Sequence, residues 1–446
     1  MKDDNRVSEG DINDTDARKA WYQQLSQQTR MVLQRDADVF LNQTLSSPCL
    51  QVLKESKGTT FTDIENRVCL DFHGNYVHNV GFGHPEVIQA VTDQMQSLSF
   101  STRRYTNLPA IELAERLTGY THSLKRILFA PGGAEAVGIA LKAARLHTGR
   151  HKTVSMWDSF HGATLEAASV GGEAVFRQHI GPLLPGTEHV PPPNPSECPF
   201  KCGTHCSLQC AGYLEYVLEK EGDVAAVVAE TVRSSPFIPP PEYWKRVREA
   251  CDRNGTLLIL DEIPHALGRT GRMFTFQNYG IEPDMVVIGK GLGGGIFPLA
   301  AVLTREEINA SVKGKSIGHY THEKNPVAAA AALAMLNIVE KENLLERVEY
   351  LHRYAMTRMR KMQQRHPIIH DVRGLGLLLG IELRDPQTGQ KLLREAEKVM
   401  YYCLANGLNF KLSMGCILNL IPPLTVSEQE LDTAFTIIED GLEALP

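Results

Sequence analysis

The chain has 446 residues, 43% of them apolar and 22% charged, with a formal net charge of −6. A chain of this length buries about three-quarters of its unfolded surface, so neither disulfides nor metals are needed for folding. At roughly 100–200 residues per domain it holds two or three folding units. The acidic balance argues against a nucleic-acid or anionic-membrane surface. The longest apolar stretch, 325–339, is too short and too Ala-rich to span a bilayer. Residues 1–30 are polar and carry no hydrophobic targeting core. Nine cysteines in a chain of this length do not resemble a disulfide framework. The expectation is a cytoplasmic, enzyme-sized protein with no nucleic-acid or membrane partner.

In chain order, residues up to about Asp16 are charged and Asn/Asp-rich, and 17–42 have a mixed helical period. Residues 58–72 read as two short strands around a turn at Glu65-Asn66. Short apolar runs then recur at 126–130, 153–156, 225–230, 256–262, 284–290 and 299–303. Helical stretches lie between several of them. Residues 134–146 are strong helix formers, and 241–255 open on Pro and close on Gly. Continuous apolar strands alternating with helices indicate a mainly parallel sheet covered on both faces. After 325 the pattern changes to helical segments at 326–341, 344–365 and 390–406, a strand-like run at 377–383, and a last helix from Ser427, with Glu430 at capping-box spacing. The expected organisation is α/β. Residues 1–80 contribute to a small domain, 81–330 form a large domain on a seven-stranded, mainly parallel sheet, and 331–446 complete a smaller α+β domain.

In open α/β sheets ligands sit at the carboxyl ends of the strands. Two such ends carry unusual residues: 256–260 run into Asp261, and 285–289 run into Lys290, which glycines follow at 291 and 293–295. A lysine desolvated there acts as an amine nucleophile. The competing reading is a buried ion pair. A Schiff-base lysine with an acid suggests pyridoxal phosphate, whose ring nitrogen needs a carboxylate partner. That cofactor also needs an anion cradle, and Gly132-Gly133 between a strand and a helix N-terminus supply one.

At this point the chain resembles the class III (ornithine/ω-amino acid type) aminotransferase family, of pyridoxal phosphate fold type I. Blocks at 70–87, 129–136, 160–162, 226–232, 261–271, 289–302, 321–326, 372–383 and 422–424 follow the family's order. The resemblance implies that Lys290 binds the cofactor's aldehyde and Asp261 pairs with its ring nitrogen. It implies that Phe160 and Ile263 cover the two ring faces and that the N–H groups of Gly133 and Ala134 hold the phosphate. Glu230 would support the hydrogen-bond network near the ring. Thr321 would reach the phosphate of a neighbouring subunit, which makes the active site that of a homodimer.

Departures from the family pattern point away from transamination. Ala134 replaces a hydroxyl residue, Pro264 replaces the Gln beside the ring oxygen, and His265 replaces Thr. Asn419 and Ser235 stand where many members carry the arginine that binds a keto acid and the glutamate that gates it. Other cations, Arg103, Arg104, Arg233 and Lys411, with Tyr76 and His78 as possible pocket walls, suit a phosphonate or phosphate. The family includes members that eliminate instead of transaminating. The resemblance therefore implies an ammonia-lyase acting on a small amino-hydroxyphosphonate, with Lys290 as base and Lys290 or His265 as acid. The alternatives are an ω-aminotransferase, a phospholyase of the O-phosphoethanolamine type, and, more remotely, a cofactor-binding protein that works through its cysteines. Cys198, Cys202, Cys206 and Cys210, with His205 among them, are spaced four apart. No metal is expected there, since the spacing is not that of paired zinc knuckles.

Overall fold

The computed structural model describes residues 15–42, 49–202 and 206–445. They form two compact units. The larger comprises Asn75–Asn79 and Pro85–Val348. Its centre is a sheet of seven strands: β1 Arg126–Ala130, β2 Lys152–Met156, β3 Thr187–Val190, β4 Val224–Glu230, β5 Leu257–Asp261, β6 Met285–Ile288 and β7 Ala300–Thr304, in the order β1-β7-β6-β5-β4-β2-β3. Strands β2 to β6 run parallel, and β7 is antiparallel to both β1 and β6. All residues of β4, β5 and β6 are buried, which is why these runs show no alternation of apolar and polar positions.

One face of this sheet packs against the helix Gly133–Thr148, whose Ala136, Ile139, Ala140, Ala143 and Ala144 meet Ala226, Val228, Ile259, Val287 and Val302. The small side chains let helix and sheet approach closely. The helix ends at Gly149 in the left-handed region, with φ +68. The Pro/Gly-bounded segment gives the helix Tyr243–Asn254, and Gly255 caps it. The Ala-rich helix Pro326–Lys341 packs on the helices Pro85–Ser97 and Leu108–Gly119.

The smaller unit gathers the chain up to Gly74, Val80–His84 and everything from Glu349 on. It holds two four-stranded sheets. The first contains Leu53–Lys57, Thr60–Asp63, Val68–Asp71 and Leu408–Asn409, and Asn66 takes the left-handed turn position expected of the 65–66 turn. The second contains Ile369–Leu375, Leu378–Leu383, Ile417–Leu420 and Lys411–Ser413. The last helix, Glu428–Glu443, starts from a complete capping box between Ser427 and Glu430. Residues 17–42 form two helices, because Ser26 caps a new start by accepting from Thr29 N–H.

Candidate active site

The parallel register puts Glu230 directly beside Asp261 at the carboxyl ends of β4 and β5. Lys290 lies two residues beyond β6, in a short 3-10 turn. All three border one cavity of ≈ 480 Å³, together with Pro131–Ala134, Phe160–Gly162, Ser234, Ile263, Pro264 and 295–299. The cavity thus collects residues far apart in the sequence, from Val77 to Leu299.

Asp261 is 2% exposed and is held from two sides. One carboxylate oxygen accepts the Ile263 N–H at 3.1 Å, and the other lies 2.8 Å from Nδ1 of buried His161. His161 Nε2 faces Ser155 Oγ at 3.5 Å. The Lys290 ammonium lies 5.0 Å from the centre of the Tyr76 ring, and the Tyr76 hydroxyl donates to the Ser234 carbonyl at 3.1 Å. Burial lowers the Lys290 pKa, and the nearby charges of Asp261 and Glu230 oppose that shift. Burial likewise raises the Glu230 pKa, against the cation of Arg233.

The anion turn is built for close approach. Gly132 is the N-cap of the helix Gly133–Thr148 and no side chain caps it, so the first N–H groups are left for a ligand. A Cβ at Gly133 would come within 2.6 Å of Ile263 Cδ1, and one at Gly162 within 2.5 Å of Ala134 Cβ. Phe160 is 36% exposed and lies against Phe176, and Ile263 stands on the same cavity wall as Gly133. An anion turn, a buried lysine, a fixed carboxylate and an open aromatic face are the set that pyridoxal phosphate requires, and the residues present fit it.

Several residues named from sequence lie elsewhere. Arg103 and Arg104 are exposed, Arg103 faces the His319 ring at 2.7 Å, and neither borders the cavity. Arg233 is buried and bonded to Ser235 Oγ at 2.9 Å, Glu173 at 3.0 Å and Glu230 at 3.5 Å. Thr321 is exposed and outside the cavity of its own chain. Lys411 belongs to the smaller unit, where it pairs across strands with Asn419, and burial lowers its pKa to about 8. His78 is fully buried and, like His265, does not border the cavity. His265 lies 3.0 Å from Thr275 Oγ1, and burial drives its pKa down to about 3. His161 and Glu173 were missed as site residues. His161 directly follows Phe160 in the same short motif, whereas Glu173 carries no local signal.

Among the described residues no group of three or more His, Cys, Asp or Glu side chains could hold a metal ion. His205 lies outside the described residues. No helix among them is long and apolar enough to cross a membrane.

The chain is 46% identical to the (R)-1-hydroxy-2-aminoethylphosphonate ammonia-lyase of Vibrio splendidus, over 98% of this chain and 95% of that one. It is 35% identical to a leucine/methionine racemase of Thermococcus litoralis, over 88% of this chain and 90% of the racemase. An aminotransferase of Bacillus anthracis, whose crystal structure is solved, superposes with a TM-score of 0.87 at 30% identity, covering 94% of this chain and all of the other. The family model for class III aminotransferases matches residues 42–442. The chain therefore belongs to the class III aminotransferase family, with the type I fold and pyridoxal 5′-phosphate as its cofactor.

Proposed function

We propose that the chain is an ammonia-lyase that converts (R)-1-hydroxy-2-aminoethylphosphonate into phosphonoacetaldehyde and ammonia. The observation that carries this reading is the 46% identity, over nearly the whole of both chains, to a relative of that activity. The uncharged Asn419 and Ser235, at positions where a transaminase needs charges for its keto acid, support it. When bound, pyridoxal phosphate supplies an electron sink conjugated to the substrate amine.

The chain's own residues do the rest. Asp261, fixed by His161 and by the Ile263 N–H, would hold the ring nitrogen protonated. Phe160 and Ile263 would confine the ring, and the N–H groups of Gly133 and Ala134 would bind the phosphate. Lys290, kept more in its neutral form by burial, takes the proton from the amine-bearing carbon. The neighbouring carbon then loses its hydroxyl. His265 is walled off from the cavity, so the acid for that step must come from a group that borders it. Arg103 and Arg104, exposed in the same unit as the cavity, are the cations proposed to meet the anionic tail. Thr321 is proposed to complete the phosphate site of a second copy in a homodimer. The proposed compartment is the cytoplasm.

The test is the holoenzyme with the amino-hydroxyphosphonate and no keto acid. Continuous ammonia release with phosphonoacetaldehyde is expected. A single turnover that stops with the cofactor in its amine form points to a transaminase and overturns the reading. Release of inorganic phosphate from O-phosphoethanolamine as the preferred reaction points instead to a phospholyase.

A further inference from the structure

Expelling hydroxide from carbon is slow unless the oxygen receives a proton as the bond breaks. Such an acid must border the cavity, reach the reacting carbons and hold a proton at neutral pH. Glu230 borders the cavity at the end of β4, beside Asp261, and when ionised it acts on Lys290. Burial disfavours its ionised form, as does neighbouring Asp261, while Arg233, His161 and Lys290 favour it. The Arg233 guanidinium is shared by Glu173 at 3.0 Å, Glu230 at 3.5 Å and the field of Asp158. Glu173 is the nearer partner, and it is 1% exposed. Glu230 therefore receives only part of Arg233's charge, and burial, the largest influence on it, favours its protonated form. Asp261 has its own donors in His161 and the Ile263 N–H, which favour its ionised form. Glu230, at the edge of Arg233's reach and open to the cavity, is the place for that proton.

We propose that Glu230 is the general acid that protonates the departing hydroxyl of the substrate. This rests on the lyase reading above. In the step, the C1–O bond breaks and its electron pair leaves with oxygen. The Glu230 proton moves to that oxygen, and water departs. Glu230 becomes a carboxylate and gains the full attraction of Arg233, so the product charge of the step falls where a cation already waits. Lys290 keeps the proton it took from C2 and returns it to C1 of the enamine, giving an iminium. Hydrolysis of the iminium consumes one water and releases ammonia, the aldehyde and the proton that restores Glu230. Two proton carriers at the ends of two strands thereby divide the work between carbon and oxygen. The groups facing Glu230 are Arg233 and Glu173 on one side, and Asp261, His161 and Lys290 on the other.

The test compares two leaving groups in holoenzyme carrying Glu230→Gln. With the hydroxy substrate, ammonia release should fall about a hundredfold or more, the range of general acid catalysis. With the 1-fluoro analogue, whose leaving group needs no proton, fluoride release should fall far less than ammonia release from the hydroxy substrate. Equal loss on both substrates, or no loss on either, overturns the assignment. Glu230→Asp keeps a carboxylic acid on a shorter arm and should recover part of the hydroxy-substrate rate. A readout independent of turnover is the infrared carboxylic-acid carbonyl band at neutral pH. The difference between wild type and Glu230→Gln should contain a protonated carboxyl, and its absence refutes the proposal. Failure of the lyase reading shows separately, as wild-type enzyme that releases no ammonia from the hydroxy substrate.

Discussion

At Lys290 the chain leaves a strand whose residues are all buried and turns at once, with the lysine itself at φ +46. That turn places the side chain on the cavity at the ends of the strands. Burial lowers its pKa, and the charge of Asp261 pulls it part of the way back. The sign is testable. The neutral amine is the form that captures the cofactor's aldehyde, so in the apoprotein the rate of colour development should rise with pH. Its midpoint should lie below the ordinary lysine value of about 10.4. Asp261→Asn removes an anion that favours the ammonium, so that midpoint should move to lower pH still. A midpoint that stays in place or rises in the variant contradicts the electrostatic account of this lysine. The same change removes the partner of His161, so cofactor affinity should fall as well.

The segment from Glu262 to Phe276 shows how an element behind the cavity keeps its wall in place. The Glu262 carboxylate accepts the Thr231 hydroxyl at 2.7 Å, the Thr275 N–H at 2.6 Å and the Phe276 N–H at 2.7 Å. Burial pushes its pKa up to about 7, against those three donors. Because the folded-state pKa is raised, the contribution of this group to stability is complete below the ordinary carboxylate range and is lost as pH rises through about 7. Glu262→Gln turns one acceptor into a donor that faces another donor. It should cost about 1–3 kcal/mol, the range for a buried group left without a partner, and should flatten the fall in stability across neutral pH. Denaturant midpoints at pH 5 and pH 8 test both (the two pH values bracket, by about a unit or more, the folded-state value). An unchanged midpoint at pH 5 removes the three-bond clamp from the account. These buried strands and capped helices were legible because apolar runs, a Gly end and a capping box each have a local cause. The polar edge strand Leu53–Lys57 was not, since all five of its residues are exposed and none alternates. The short edge strand Thr187–Val190 failed in the same way, with one buried residue.

Across the whole molecule, what sequence could show of the site was what sits at strand ends: Asp261, Lys290, Glu230 and the Gly132-Gly133 turn. What it could not show was how distant side chains spend their charge. Arg233 read as a free cation for substrate, and the structure commits it to Glu173, a residue 60 positions away with no local pattern to announce the pairing. Thr321 poses the converse problem, because it is exposed and borders no cavity of its own chain. In the same unit Ile88, Met95, Leu98, Phe100, Tyr105, Leu108, Ile111 and Ile296 are exposed apolar residues, a pattern that fits a covering copy of the chain. If Thr321 binds the phosphate of a second copy, Thr321→Val should weaken cofactor binding by roughly 1.5–3 kcal/mol, the worth of a hydrogen bond to a charged group. A heterodimer of Lys290→Ala and Thr321→Val chains then separates the two geometries. Action across the dimer places both defects in one site and leaves the other with wild-type lysine and wild-type threonine. One of its two sites should therefore take up pyridoxal phosphate with wild-type affinity and show the visible absorbance. Action within one chain leaves only the weakened site of the Thr321→Val chain. Cofactor titration of the purified heterodimer decides between them, and uptake only at the weakened affinity rules out a shared site.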